Sequence, residues 1–240
     1  MTPTWIHEKL SLYHADCMEI MRQFPDKHFD LAIVDPPYGR CEDGGKDRSG
    51  GVKQRNGKVL HCHDGGYVAK KWDRRPPEAD YFLELLRVSK NQIVWGINYY
   101  AVSWPGGRII WDKVNDGSDQ SGAEIAFCSL NERVDIVRYM WRGMMQGMSI
   151  AQGTIQQGNK ALNEKRIHPT QKPIKLYEWI LASYAQPGQR ILDTHLGSGS
   201  HAIAAHYAGM DFTGIELDAD YFKAACERIE RETSQMTLSL

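Results

Sequence analysis

Apolar positions along this chain switch between a period of two and a period near 3.6, and the switches mark out its elements. Positions 9–13 and 29–35 read as short strands, and between them Met18, Met21 and Phe24 recur at helical spacing over 16–24. That is a strand–helix–strand unit. Residues 39–75 then gather Gly, Lys, Arg and Asp without a period, which predicts a long loop. A helix over 77–87, buried strands over 92–95 and 108–111, and a hairpin of 124–129 with 135–139 follow. Residues 140–165, rich in Gly, Gln, Met and Asn, read as a second irregular insert. Order returns at Pro173, with a helix over 174–184, a strand over 190–193, a helix over 200–207, a strand over 211–216 and a last helix over 219–231. The alternation predicts an α/β fold, a mostly parallel sheet covered on both faces with one antiparallel hairpin. No internal repeat is visible. The expectation is one domain over 1–240, with inserts at 39–75 and 140–167.

Composition agrees with this and adds a charge pattern. The 240 residues are 42% hydrophobic and 25% charged, enough for one full core. No apolar run approaches a membrane span and the first residues form no secretion signal, so the expected location is the cytoplasm, of a bacterium or a phage-infected one. Five scattered cysteines fit reduced thiols better than a disulfide framework. His61, Cys62 and His63 with Cys41 carry metal-capable atoms but no paired ligand spacing, and no metal is expected. The net charge of −1 hides an uneven distribution: residues 40–75 hold ten Lys/Arg against five Asp/Glu, 133–175 eight against two, and 176–240 four against nine. The two basic segments suit a phosphate-facing surface, with a solvated loop as the plain alternative for each.

Three segments carry chemistry. The apolar run Leu31–Val34 stops at Asp35-Pro36-Pro37-Tyr38. Neither proline donates a backbone hydrogen bond and each fixes its own φ, so Asp35 and the carbonyls beside it are held for something other than a sheet ladder. A carboxylate, a free carbonyl and a stacking ring together suit a nucleobase amine. The second segment runs strand, Gly-rich turn and helix through Asp193, His195, Gly197, Ser198, Gly199 and Ser200, and about twenty residues later Glu216 and Leu217 end the next strand. Glycines let a ligand approach the backbone, a helix start offers free N–H groups, and an acid at that spacing binds both hydroxyls of a ribose, which makes Glu216 the ribose ligand. The third is His168-Pro169-Thr170-Gln171-Lys172-Pro173, where Pro173 suits the first helical position and the preceding amides with Lys172 can meet a carboxylate.

Asp35-Pro36-Pro37-Tyr38 resembles the catalytic motif of the amino-group DNA methyltransferases, which methylate the exocyclic nitrogen of adenine or cytosine. The Gly-rich turn resembles their S-adenosylmethionine loop, commonly Asp-Pro-Phe-x-Gly-Ser-Gly-Thr, with Thr194 and His195 here in place of Pro-Phe. The turn at 168–173 resembles the family's motif for the methionine end of the cofactor, which implies Thr170, Gln171 and Lys172 as its ligands. Catalytic strand first and cofactor strand last resembles the β-type circular order. The resemblance implies a Rossmann-like fold with permuted motifs, S-adenosyl-L-methionine as cofactor, DNA as partner and a possible homodimer, in an orphan or phage-like modification enzyme. It also implies that Asp16 lies near the cofactor's adenine, with a helix N-cap as its other reading. Glu124 resembles a recurring acid of phage-type adenine methylases and receives no role; Trp72, Tyr99, Tyr100, Trp104 and Trp111 could stack on bases, but aromatics at strand ends are mostly core and none is claimed as a site. Asp at position 35 favours N6 of adenine. The alternatives are N4 of cytosine, an RNA or glutamine-amide substrate, and a noncatalytic nucleic-acid-binding protein that keeps the fold.

Overall fold

The computed structural model describes residues 2–44, 52–53, 59–60, 70–116 and 121–234. In chain order these form β1 (Trp5–His7), β2 (Leu10–His14), α1 (Cys17–Met21), β3 (Phe29–Val34), the short pair β4 (Val52–Lys53) and β5 (Val59–Leu60), α2 (Ala79–Val88), β6 (Ser89–Trp95), β7 (Gly107–Asp112), β8 (Ala123–Cys128) and β9 (Val134–Arg138). A second short pair, β10 (Trp141–Arg142) and β11 (Met145–Gln146), precedes α3 (Ile174–Tyr184), β12 (Arg190–Asp193), α4 (Ser200–Tyr207), β13 (Asp211–Glu216) and α5 (Ala219–Ser234).

Nine strands make one sheet in the order β1-β2-β13-β12-β3-β6-β8-β7-β9. From β2 to β6 all neighbours are parallel. Alternation along β3 explains how that centre is covered. Leu31 and Ile33 join the cluster packed by α3, α4 and α5, while Ala32 and Val34 join the one packed by α1 and α2. A strand apolar on both sides has no solvent face, which is why it reads as a continuous hydrophobic run. Neighbouring β12 and β3 lead to crossovers on opposite faces, so a crevice opens at their carboxyl ends.

The expected α/β architecture forms, with differences in detail. The expected hairpin of 124–129 with 135–139 does not: β8 pairs antiparallel with β7 and β6, whereas β9 lies parallel to β7 on its other edge. The connection after β8 wraps the start of β7, where Gly107 N donates to Asn131 O at 2.6 Å and Arg108 N to Arg133 O at 2.8 Å, and so delivers β9 to the far side. Pro173 stands one position outside α3, extended at φ −71° and ψ 149°, because the Glu164 carboxylate accepts the next amide, Ile174 N, at 3.0 and 3.2 Å. The helix expected over 16–24 ends at Met21. The insert at 140–167 contains β10 and β11, and it is packed: Trp141 is buried and donates through Nε1 to Gln171 O at 2.9 Å. His61, Cys62 and His63 lie outside the described residues, and the four described cysteines are free. Among the described residues no helix is long and apolar enough to cross a membrane.

Candidate active site

A crevice of about 960 Å³ lies over the ends of β3, β12 and β13, and Asp16, Asp35, Lys172, His195, Gly197 and Glu216 all line it. Thus the three motifs, dispersed over more than 180 residues, open on one cavity.

At its centre Asp35 leaves the tip of β3. Its Oδ1 accepts from Tyr38 Oη at 2.7 Å and its Oδ2 accepts from Lys172 Nζ. Lys172 also faces Glu124 Oε2 at 2.9 Å and Tyr38 Oη at 3.1 Å, and Glu124 is held from its other side by Lys113. Two ammonium groups and two carboxylates therefore alternate. Burial pushes the Asp35 carboxyl above its usual pKa, Lys172 opposing and Glu124 adding to the rise. For Glu124 burial acts the same way, but Lys172 and Lys113 outweigh it and hold the carboxyl at about 2. Lys172 is disfavoured as a cation by burial and kept charged by the two carboxylates, which raise its pKa. The Pro36 carbonyl accepts from Tyr100 Oη at 2.8 Å, leaving a second lone pair. Tyr38 lies over Gly96, whose φ is +70° and where an added Cβ would sit 2.2 Å from the ring; its plane stacks on Tyr99 at 4.9 Å.

The cradle after β12 is equally well built. Gly197 and Gly199 take φ of +54° and +75°, and Gly199 caps α4. Glu216 accepts from Gly197 N at 2.8 Å and Asp218 N at 2.9 Å, one per carboxylate oxygen. Burial, only partly offset by those amides, raises its pKa to about 7. Asp193 turns inward, accepting from His195 N and pairing with His201 Nδ1, both at 3.0 Å, so it braces the turn. His195, where the motif commonly has an aromatic, meets Tyr81 edge to face at 5.5 Å, and burial lowers its pKa to about 4, leaving a neutral ring. Ser198 and Ser200 bond each other at 3.0 Å; Arg228, 1% exposed, donates at 2.9 Å to Ser198 O and to Ser200 Oγ, and at 3.0 Å to Glu164. Leu217 forms an exposed rim. Asp16 caps α1 by accepting from Met18 N at 2.7 Å, as its second reading expected, and it also lines the crevice.

The 168–173 turn serves two sides. His168 is buried and kept neutral, its pKa lowered by burial to about 3, with Tyr221 at 4.3 Å and Trp72 at 5.1 Å. Thr170 bonds His168 Nδ1 through N at 3.3 Å and Oγ1 at 3.2 Å, and Gln171 braces the insert by accepting from Ile167 N at 2.9 Å. Lys172, expected at the cofactor, lines the crevice and rests on Asp35. The described end of the first insert covers this region: Lys70 pairs with Asp218 at 3.0 Å and Asp220 at 2.6 Å, and Asp73 holds Gly39 N and Glu42 N at 2.8 Å each.

Sequence reasoning left out Lys113, Gly96, Asp73 and Arg228, gave Glu124 no role, and claimed no site role for Trp72 and Tyr99, which line the crevice, or for Tyr100, which is buried in the core. A signal existed for Arg228. It falls on the stripe Tyr221, Ala225, Ile229 that α5 buries, where a charge needs a partner.

The N6_N4_Mtase family model, described as DNA methylase, matches residues 94–227. The type II methyltransferase M2.DpnII of Streptococcus pneumoniae is 26% identical over 96% of this chain and 93% of its own, and M.HinfI of Haemophilus influenzae 24% over 91% and 68%. Among solved structures, the M1.HpyAVI–SAM complex matches at a TM-score of 0.53 and 20% identity, covering 91% of this chain and 99% of that one. The cytosine-N4-specific PvuII DNA methyltransferase matches at 0.56 and 16%, covering 97% and 93%. At those identities the structural likeness speaks for the fold, which is that of these enzymes.

Proposed function

Because the chain belongs to the N6_N4_Mtase family of DNA methylases, we propose that it transfers a methyl group from S-adenosyl-L-methionine to the exocyclic N6 amine of adenine in DNA. The target base is taken out of the duplex to reach the crevice. One observation carries this reading: the Asp35 tip of β3 and the Gly-rich turn after the adjacent β12 open into the same cavity. The cradle fits the cofactor. The left-handed Gly197 and Gly199 turn the chain so that Gly197, Ser198 and Ser200 line the crevice, and each Glu216 oxygen keeps a lone pair for a ribose hydroxyl. The cofactor supplies an electrophilic methyl on a sulfonium.

The amine of a nucleobase is a weak nucleophile because its lone pair is delocalised into the ring. Asp35 and the Pro36 carbonyl accept its two hydrogens, localise the pair on nitrogen and aim it in line with the methyl. The methylated nitrogen is acidic, and its surplus proton leaves by way of Asp35. Tyr38 and Tyr99 offer the stacking surface beside it. The basic inserts contact the DNA backbone, and the active species is a homodimer, an expectation that a fully active monomer in sedimentation equilibrium would refute.

The test is to incubate the protein with unmethylated DNA and methyl-labelled cofactor, digest the DNA and identify the labelled nucleoside by mass spectrometry. N6-methyladenine is the expected product. N4-methylcytosine would keep the mechanism and replace the base. No label, with cofactor and DNA both bound, would leave a noncatalytic binding protein.

A further inference from the structure

The reaction as written leaves Lys172 over. Its Nζ has three N–H bonds and faces three acceptors, Asp35 Oδ2, Glu124 Oε2 at 2.9 Å and Tyr38 Oη at 3.1 Å, while its side chain is 3% exposed. The rings of Tyr38 and Trp95, each 5.4 Å away, turn their electron-rich faces to it. This ammonium is therefore fully satisfied, and what satisfies it includes the oxygen that an incoming amine needs. Oδ1 accepts from Tyr38 and Oδ2 from Lys172, so each Asp35 oxygen keeps one lone pair while the direction toward Lys172 is filled. A lysine ammonium and a base amine are both compact nitrogen donors, and both cannot lie on one Asp35 oxygen in the same direction.

Resting on the reading that Asp35 receives the target amine, we propose that Lys172 holds that amine's place in the empty enzyme, keeps Asp35 oriented and ionised, and withdraws onto Glu124 when the base enters. Lys172 is thus a positioning residue of the methyl transfer and Glu124 its second seat. Glu124 already touches the ammonium, so Lys172 keeps a buried carboxylate partner when it leaves Asp35, and the base amine takes its place on Asp35. Lys172 and Lys113 together keep Glu124 anionic, which makes it a permanent acceptor.

Lys172 is the cation that faces Asp35, with the Tyr38 hydroxyl as a neutral second donor. Burial and Glu124 both favour a protonated carboxyl, and Lys172 is the cation that opposes them. The other groups around it, Tyr38, Tyr81, Tyr100 and Tyr177, are themselves pushed well above their usual pKa by burial and stay neutral. Lys113 meets Glu124 rather than Asp35.

The experiment compares wild type with Lys172→Met, Lys172→Gln and Lys172→Arg in the full chain. Single-turnover transfer of labelled methyl to unmethylated bacterial genomic DNA is followed from pH 5.5 to 9.5 at saturating S-adenosylmethionine, with cofactor affinity measured by calorimetry. Both neutral variants are expected to keep cofactor affinity within about threefold, to lose rate, and to move the acid limb of the profile up by about one unit or more, as a buried carboxyl does without its cation. Lys172→Arg is expected to restore the limb. Lys172→Gln, polar and close in length, carries the test if Lys172→Met fails to fold. Neutral variants with an unmoved limb, or with cofactor binding weakened tenfold or more, overturn the proposal, the latter by making Lys172 a cofactor ligand. Wild type that labels no base would sink the parent reading, whereas an active wild type with an unmoved limb in the variants sinks this one only.

Discussion

With Glu216 as the proposed ribose ligand, cofactor binding is expected to have a pH dependence whose size follows from its raised carboxyl. Its carboxyl is raised by burial to about 7 in the empty protein, and only the ionised form accepts from two ribose hydroxyls. Cofactor binding therefore draws Glu216 toward its charged form. The sign follows: binding releases a proton below pH 7, so affinity rises with pH up to the free-protein pKa and is flat above it. Each unit below 7 costs up to tenfold, and between pH 8 and pH 5.5 the loss is about 30-fold, or about 2 kcal/mol. His168 and His195, two of the three histidines that line the crevice, are lowered by burial to about 3 and 4 and remain neutral across that window. Calorimetric titration with S-adenosylmethionine from pH 5.5 to 8.5, on wild type and Glu216→Gln, measures it. The variant is expected to bind more weakly at pH 8 and with little slope. A flat wild-type profile, or an equally steep slope in Glu216→Gln, would refute the assignment of both the ribose contact and the titrating group.

Three further outcomes are expected. Gly96→Ala places a Cβ 2.2 Å from the Tyr38 ring at a φ of +70°, so it should displace that ring, cut the transfer rate at least about 100-fold and cost about 1–3 kcal/mol in urea unfolding. Wild-type kinetics would show that Tyr38 is not fixed by this contact. Arg228→Met strips Glu164 of its buried partner and frees the Ser198–Ser200 turn; a loss of about 3–5 kcal/mol is expected, part of it recovered in the double variant with Glu164→Gln. Additive losses in the double variant would contradict that coupling. Asp35→Ala should bind cofactor normally and transfer no methyl, and loss of both in calorimetry and the labelling assay would mean that the residue is structural.

Where the sequence was legible, local chemistry was sufficient. β3 could be read because an apolar run ends abruptly at Asp35-Pro36-Pro37-Tyr38, and the cradle because Gly197, Gly199 and Glu216 fall at a spacing set by one βα unit. Partner choice among β7, β8 and β9 was not legible, since all three are short, apolar or alternating strands, and what decides their order is the route of the connection around Gly107. Lys172 shows the same limit at the site. Its charge foretells a carboxylate partner, but the choice between a bound ligand and Asp35 depends on how the 168–173 turn lies across two strands remote in sequence. Arg228 was masked by its neighbours, because an arginine beside Glu227 and Glu230 looks like a solvated helix face until the buried stripe is traced.

The placing of β12 beside β3 also has a consequence for the chain as it is made. Leu31 finds its partner Ile191 about 160 residues later, and Phe212 pairs back to Leu10 over a still longer span. Synthesised at roughly 5–20 residues per second, the chain carries β3 for about ten seconds or more with one hydrophobic edge unpaired. Contacts so distant in sequence close slowly, and an open edge of that kind invites the wrong strand. Until β12 is made, that edge is the part of the nascent chain most exposed to mispairing.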